Sequence, residues 1–128
     1  MQNEVSKLIE YRKKQAIQSI DDVELLILNK KFALAVNRIY YGMFYILLAL
    51  SIKHGFKTSK HNQLIGWFNK EFVKTGKVDK EFGKYIHKAF KNRTDSDYGV
   101  FVEFEEEEVL TRFDEMKLFI KEIEKLLE

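Results

Sequence analysis

Between Phe32 and Ile52 the chain reads FALAVNRIYYGMFYILLALSI, almost wholly apolar or aromatic. A helix that is apolar on nearly every side has to be enclosed by other elements. Its few polar side chains, Asn37, Arg38, Tyr40, Tyr41 and Tyr45, must then either pair inside the fold or be kept for use. The cleanest part, Ile39 to Ile52, falls below the roughly 20 residues that a membrane-spanning helix needs. Extending it backwards takes in Arg38 and Asn37, so a buried helix is expected and no membrane is implied as a partner.

With 128 residues the chain has the length of one domain, read as residues 1–128 around a single core. Apolar residues at 45% and charged ones at 33% give the balance of a globular protein. There is no cysteine, which removes disulfides, thiolate metal sites and a thiol nucleophile together. The start, MQNEVSKLIEYRKK, turns polar before an apolar run can form, so it does not read as a signal peptide, and a cytoplasmic location is expected. A formal net charge of +2 does not by itself argue for nucleic acid. Its distribution is uneven: lysines gather between Lys53 and Lys91, and Glu103 with Glu105 to Glu108 forms an acidic block. A basic middle suits phosphates, although solvated helix faces produce the same pattern.

No proline interrupts the sequence, which favours long helices, and Gly55, Gly76 and Gly99 stand where helical patterns end. The spacing predicts a first helix over Glu4 to Leu28, with Val5, Ile9, Ala16, Ile20, Val23 and Ile27 on one face and Asn29 as terminator. The apolar run forms the second, packed on the first as a hairpin because so few residues separate them. A third begins near the capping candidates Thr58 and Ser59, carries Leu64, Ile65, Trp67, Phe68 and Phe72, and stops at Gly76. A fourth, capped by Asp79, presents Phe82, Ile86, Ala89 and Phe90 before reaching Asn92 and Arg93. SDYGVFVEF reads as a connection. A fifth runs from about Glu105 to Leu127, with its acidic residues in the first turn, where the helix dipole favours them. Val109, Phe113, Met116, Ile120, Ile123 and Leu127 give it a narrow packing stripe. The fold class is therefore all-α, a four- to five-helix up-and-down bundle.

Two constellations could carry function. On the second helix Asn37, Tyr41 and Tyr45 share one face, and Arg38, Gly42 and Tyr45 form a neighbouring row. A buried arginine there can fasten a bundle through carboxylates or carbonyls, with tyrosine hydroxyls satisfying the rest, and Gly42 permits close helix approach. The second is KNRTDSDYG, Lys91 to Gly99, where Arg93 precedes Asp97 by one turn. The planar fork of arginine suits phosphate, while a local ion pair is the plainer role. His54, His61 and His87 form no metal pair on one turn, and no HExxH motif, glycine-rich phosphate cradle or GxSxG motif is present. His61, at the start of the third helix, is a candidate general base or a simple cap.

Taken in order, KKFALAVNRIYYGMFYILLAL, SKHNQLIGWFNKEFVKTGKV and NRTDSDYG resemble the HEPN domain, a family of small helical bundles, and its uncharacterised stand-alone bacterial branch in particular. The most specific pieces are AVNRIYYGMF, the Lys60–His61 pair and the arginine followed by Asp97 and Tyr98. The resemblance implies a helical bundle, commonly a homodimer, often encoded beside a small nucleotidyltransferase in toxin–antitoxin or defence systems. Many members cleave RNA without metal or other cofactor, using an arginine followed after four to six residues by a histidine. Arg93 matches that arginine, but Tyr98 stands where the shortest form of the motif has histidine. Tyrosine, with an ordinary pKa of about 10, is a poor base near pH 7.

Three functions follow as expectations. One is an accessory module that binds nucleotide, RNA or a nucleotidyltransferase through Arg93, Asp97 and Tyr98, helped by Asn37, Arg38 and Tyr41. Another is a metal-independent ribonuclease with Arg93, Tyr98 and His61 as its catalytic candidates. The third is a structural dimeric bundle in which the same side chains only lock helix packing.

Overall fold

The computed structural model describes residues 3–98 and 103–128, which form five helices and, among the described residues, no strand. They are α1 (Glu4–Leu28), α2 (Phe32–Lys53), α3 (His61–Phe68, continued by a π-helical turn over Asn69–Val73), α4 (Lys80–Tyr98) and α5 (Glu106–Leu127). Local chemistry explains most boundaries. The Asn3 side chain accepts the Ser6 amide at 2.8 Å and caps α1, whose far end is closed by Asn29 Nδ2 donating to the Leu25 carbonyl at 2.8 Å. Gly55 and Gly76, with φ of +75° and +79°, make the left-handed turns after α2 and after the π turn. Asp79 Oδ1 accepts the Glu81 amide at the start of α4.

α2 is the axis of the bundle and packs against each of the other four helices. Ile39, Tyr40, Met43, Ile46, Leu47 and Leu50 are fully buried along it, and Phe68, Ile86, Met116, Phe119 and Ile120 meet them from α3, α4 and α5. α2 is long and apolar enough to span a membrane by composition, yet 61% of its most apolar window is buried by its own chain, as a core helix requires. At Gly42 the helices come closest: a Cβ there would lie 2.3 Å from Met116 Cε and 3.1 Å from Ser19 Cβ. The expected close approach is therefore real, and it joins α1, α2 and α5 at one level.

Three sequence expectations need correction. The end of α4, which the sequence leaves open, lies at Tyr98, so Ser96 to Tyr98, the start of the supposed connection, is helical. The physical reason is the i, i+4 pairing of Arg93 with Asp97 across that turn, together with packing of the preceding turn on α2. α3 begins at His61 rather than at Thr58, whose Oγ1 instead accepts the Lys60 amide at 3.1 Å ahead of the helix. On α1, Val5 is 48% exposed, because the packed face begins only at Ala16, Ser19 and Val23. The connection at Gly99 lies outside the described residues.

Candidate functional site

Successive tyrosines on a helix point about 100° apart, so Tyr40 and Tyr41 cannot share one environment. Tyr40 is fully buried and Tyr41 half-buried. A buried phenol needs a hydrogen-bond partner, and Tyr40 finds His61: its hydroxyl lies 2.5 Å from Nδ1. α3 starts at His61, which places the imidazole over α2. There it stacks on Phe44 at 4.3 Å between centroids and 16° between planes, and meets the edge of Tyr41. Phe90 of α4 closes the cluster, 5.3 Å from Tyr40 and 6.1 Å from His61.

Arg93 follows Phe90 by three residues and so projects from the same face of α4. Its guanidinium carbon lies 5.6 Å from the Tyr41 ring centroid and 6.0 Å from that of Tyr40. Nη2 donates to the Tyr41 hydroxyl at 3.2 Å. Nε is 2.9 Å from Asp97 Oδ2, yet this buried N–H is not aimed at the oxygen and makes no hydrogen bond, so the contact is an ion pair only. Behind the site, Arg112 of α5 donates through Nε to Asn92 Oδ1 at 3.0 Å and through Nη1 to Glu115 at 3.1 Å. This anchors α4 at the residue beside Arg93.

The electrostatics follow from burial and from the guanidinium. Burial, and then the neighbouring Arg93, push the His61 pKa below its ordinary value. Burial and the nearby Tyr41 raise that of Tyr40 well above the usual phenol range, with Arg93 opposing weakly. Near pH 7 the pair is therefore a neutral imidazole against a neutral phenol, beside a permanent positive charge.

The structure brings Arg93, Asp97, Tyr41 and His61 together on one wall, though they come from three helices. It does not bring Arg38 into an internal ion pair. That residue is half-buried, lies 5.9 Å from the Tyr41 and Tyr45 ring centroids, and among the described residues meets no carboxylate. Arg38 itself is partly exposed and lies beside the Tyr41 and Tyr45 rings, although Gly42 of the same row is enclosed between α1 and α5. Asn37 is half-buried and makes no side-chain hydrogen bond among the described residues. The Tyr98 side chain lies outside the described residues. His54 and His87 are exposed, His54 beside Trp67 and Phe72 and away from the cluster. Among the described residues no three histidine or carboxylate side chains gather as a metal site.

Sequence reasoning named Tyr40 as a polar group needing a partner and Phe90 as a core residue, but it did not bring them together with Phe44 around His61. One signal for Tyr40 existed: a tyrosine on the most buried helix demands a polar partner, and His61 is one of the few aromatic side chains able to supply it.

Residues 9–126 match the HEPN domain. A Thermotoga maritima protein named "UPF0332 protein" is 47% identical over 98% of this chain and 96% of its own length. Two Methanocaldococcus jannaschii proteins, named "Putative toxin MJ0142" and "Putative toxin MJ0605", are 34% and 29% identical, covering 97% and 99% of this chain and 82% and 91% of their own lengths. The chain belongs to the HEPN domain family.

Proposed function

We propose that this protein is a toxin-like HEPN module that engages RNA or nucleotide phosphate through Arg93 and His61, in the cytoplasm and together with a nucleotidyltransferase partner. The observation that carries the reading is the convergence of His61 and Arg93 on the tyrosine wall of α2, with Arg93 fixed in orientation by Tyr41. An arginine held this way has lost its conformational freedom in advance, so it binds an anion at smaller entropic cost. Its side chain keeps 19% of its surface exposed, enough for contact at the rim. The names of the two archaeal relatives support a toxin-like role. The reading includes a homodimer in which two such walls face each other, as the family resemblance implies.

A short labelled RNA titrated with the protein should bind, and Arg93→Ala should weaken that binding roughly tenfold or more, the usual worth of a charge-assisted hydrogen bond. Equal affinity of both proteins would refute the assignment. Sedimentation of the purified protein reports the dimer, and co-expression with a small nucleotidyltransferase reports the partner.

The proximity of His61 to Arg93 favours one second reading, a metal-independent ribonuclease with His61 in place of the missing motif histidine. Mixed RNA incubated under chelator should then be cleaved by the wild type and spared by Arg93→Ala. Identical RNA profiles would remove it.

A further inference from the structure

Which nitrogen of His61 carries its proton decides what this side chain can do. An imidazole that is neutral and unprotonated at Nε2 can accept a proton from a ligand there; one protonated at Nε2 can only donate a hydrogen bond. The fold constrains the choice. The Tyr40 hydroxyl has one hydrogen-bond partner among the described residues, His61 Nδ1. Around the pair stand the rings of Tyr41 and Phe44 from α2 and Phe90 from α4, none of which can accept a strong hydrogen bond in the plane of the phenol. The phenol proton therefore has a single good acceptor, and Nδ1 must offer its lone pair.

Nε2 is in a different position. It has no hydrogen-bond partner among the described residues and is not one of the buried unpaired atoms, so solvent reaches it. His61 also opens α3, where the positive end of the helix dipole disfavours a second positive charge on the ring. The fixed cation beside it is Arg93, whose Nη2 donates to the Tyr41 hydroxyl and whose Nε lies 2.9 Å from Asp97 Oδ2.

We infer that Tyr40 is a positioning residue: its hydroxyl donates to Nδ1 and fixes His61 as the Nε2–H tautomer, so that His61 and Arg93 together form a pair of N–H donors for a phosphate-class oxyanion. The inference rests on the reading of the site as a phosphate-binding wall and deepens it. His61 then orients the anion, whose charge Arg93 balances, rather than abstracting a proton. The low basicity of the imidazole and the high pKa of the phenol agree with this arrangement, since both keep the hydroxyl as the donor. In this arrangement His61 Nε2 is not the base that the ribonuclease reading would need, because the nitrogen open to ligand already holds a proton.

The test is the tautomer itself, read by long-range nitrogen–proton correlation of the imidazoles in ligand-free protein, about one unit above an ordinary histidine pKa of about 6.5. His54 and His87, exposed and remote, serve as internal references. The wild type should show His61 protonated at Nε2 with Nδ1 bare, and Tyr40→Phe should move it towards the mixture shown by the other two. A wild-type His61 protonated at Nδ1, or unchanged tautomers in Tyr40→Phe, would overturn the inference. Should Tyr40→Phe not fold, the wild type still decides: a hydroxyl proton on Tyr40 correlated to Nδ1 supports the arrangement, and a proton residing on Nδ1 refutes it.

Inorganic phosphate is then added to the wild type. The Nε2–H of His61 and the guanidinium signals of Arg93 should move together with one binding constant, weakened roughly tenfold in Arg93→Ala. Movement of Arg93 alone, or of neither, would refute the donor pair. The tautomer is measured without RNA, so loss of RNA binding would discard the functional reading without touching it, and a wrong tautomer would leave RNA binding standing.

Discussion

Two faces of α2, within one helical turn of each other, are built on opposite principles. Around Gly42 the helix meets α1 and α5 so tightly that an added methyl group would have to displace the end of Met116, and the polar Ser19 there satisfies itself by donating to the Gln15 carbonyl one turn back at 2.8 Å. Around Tyr40 and Tyr41 it meets α3 and α4 through rings and polar groups, and the side-chain hydrogen bonds of both tyrosines among the described residues cross between elements. The first face is defined by volume, the second by who donates to whom. The closed face is settled by packing, whereas the other carries an imperfectly paired group, the buried Nε of Arg93.

The difference can be broken at either face. The largest effect belongs to the closed one: Gly42→Val should destabilise by about 1–3 kcal/mol, the usual cost of overpacking, with Gly42→Ala milder because Met116 can swing its terminal methyl aside. Met116→Ala should recover part of the Gly42→Val loss. Urea unfolding of the two single variants and the double variant checks this, and additive losses would show that volume is not the issue.

On the open face Arg93→Ala should cost only about 1 kcal/mol in the same unfolding experiment, the net value of a side-chain hydrogen bond, while its effect on RNA affinity is larger. A loss comparable to that of Gly42→Val would make Arg93 part of the scaffold and erase the distinction between the faces.

The pH dependence sharpens it further. The folded protein holds His61 below its ordinary pKa, so the unfolded chain binds the proton more readily. Stability from this group is complete above about pH 6.5 and falls as the pH drops from there towards the lower folded value. Melting temperatures across that window should decline in the wild type and decline less in His61→Gln. Parallel curves would mean that another group governs the slope.

The smallest effect is expected at Asp97, whose side chain is 31% exposed. Asp97→Asn should change stability by no more than about 0.3–0.5 kcal/mol, as for other helix-surface ion pairs, and less at high salt. A sharper loss would mean that the last turn of α4 depends on this pair.

Much of the closed face is legible in the sequence, because periodicity, absent proline and a lone glycine in an apolar helix are local signals of packing. The helix ends at Leu28 and near Lys53 and the stripe on α5 follow from the same reasoning, and so does the pairing of Arg93 with Asp97. The open face is mostly not legible. Tyr40 and His61 are 21 residues apart, and Tyr41 and Arg93 are 52 apart; no spacing rule links side chains on separate helices. The extension of α4 was hidden for a different reason: Thr94, Asp95, Ser96 and Asp97 are individually poor helix formers, and tertiary docking of the preceding turn outweighs their preference. Arg38 misled because hydropathy places it in a buried run, while the helix rotation that carries it to the rim depends on where α3 and α4 dock.

The hydrogen bonds that bind the wall together reach from α2 to the first residue of α3 and to the last turns of α4. During translation, Tyr40 and Tyr41 leave the ribosome long before Arg93 does. A nascent chain therefore has no assembled wall until most of its length is made, and a truncated product ending before α4 lacks one altogether. Whatever this surface does is withheld from incomplete copies by the order of synthesis alone.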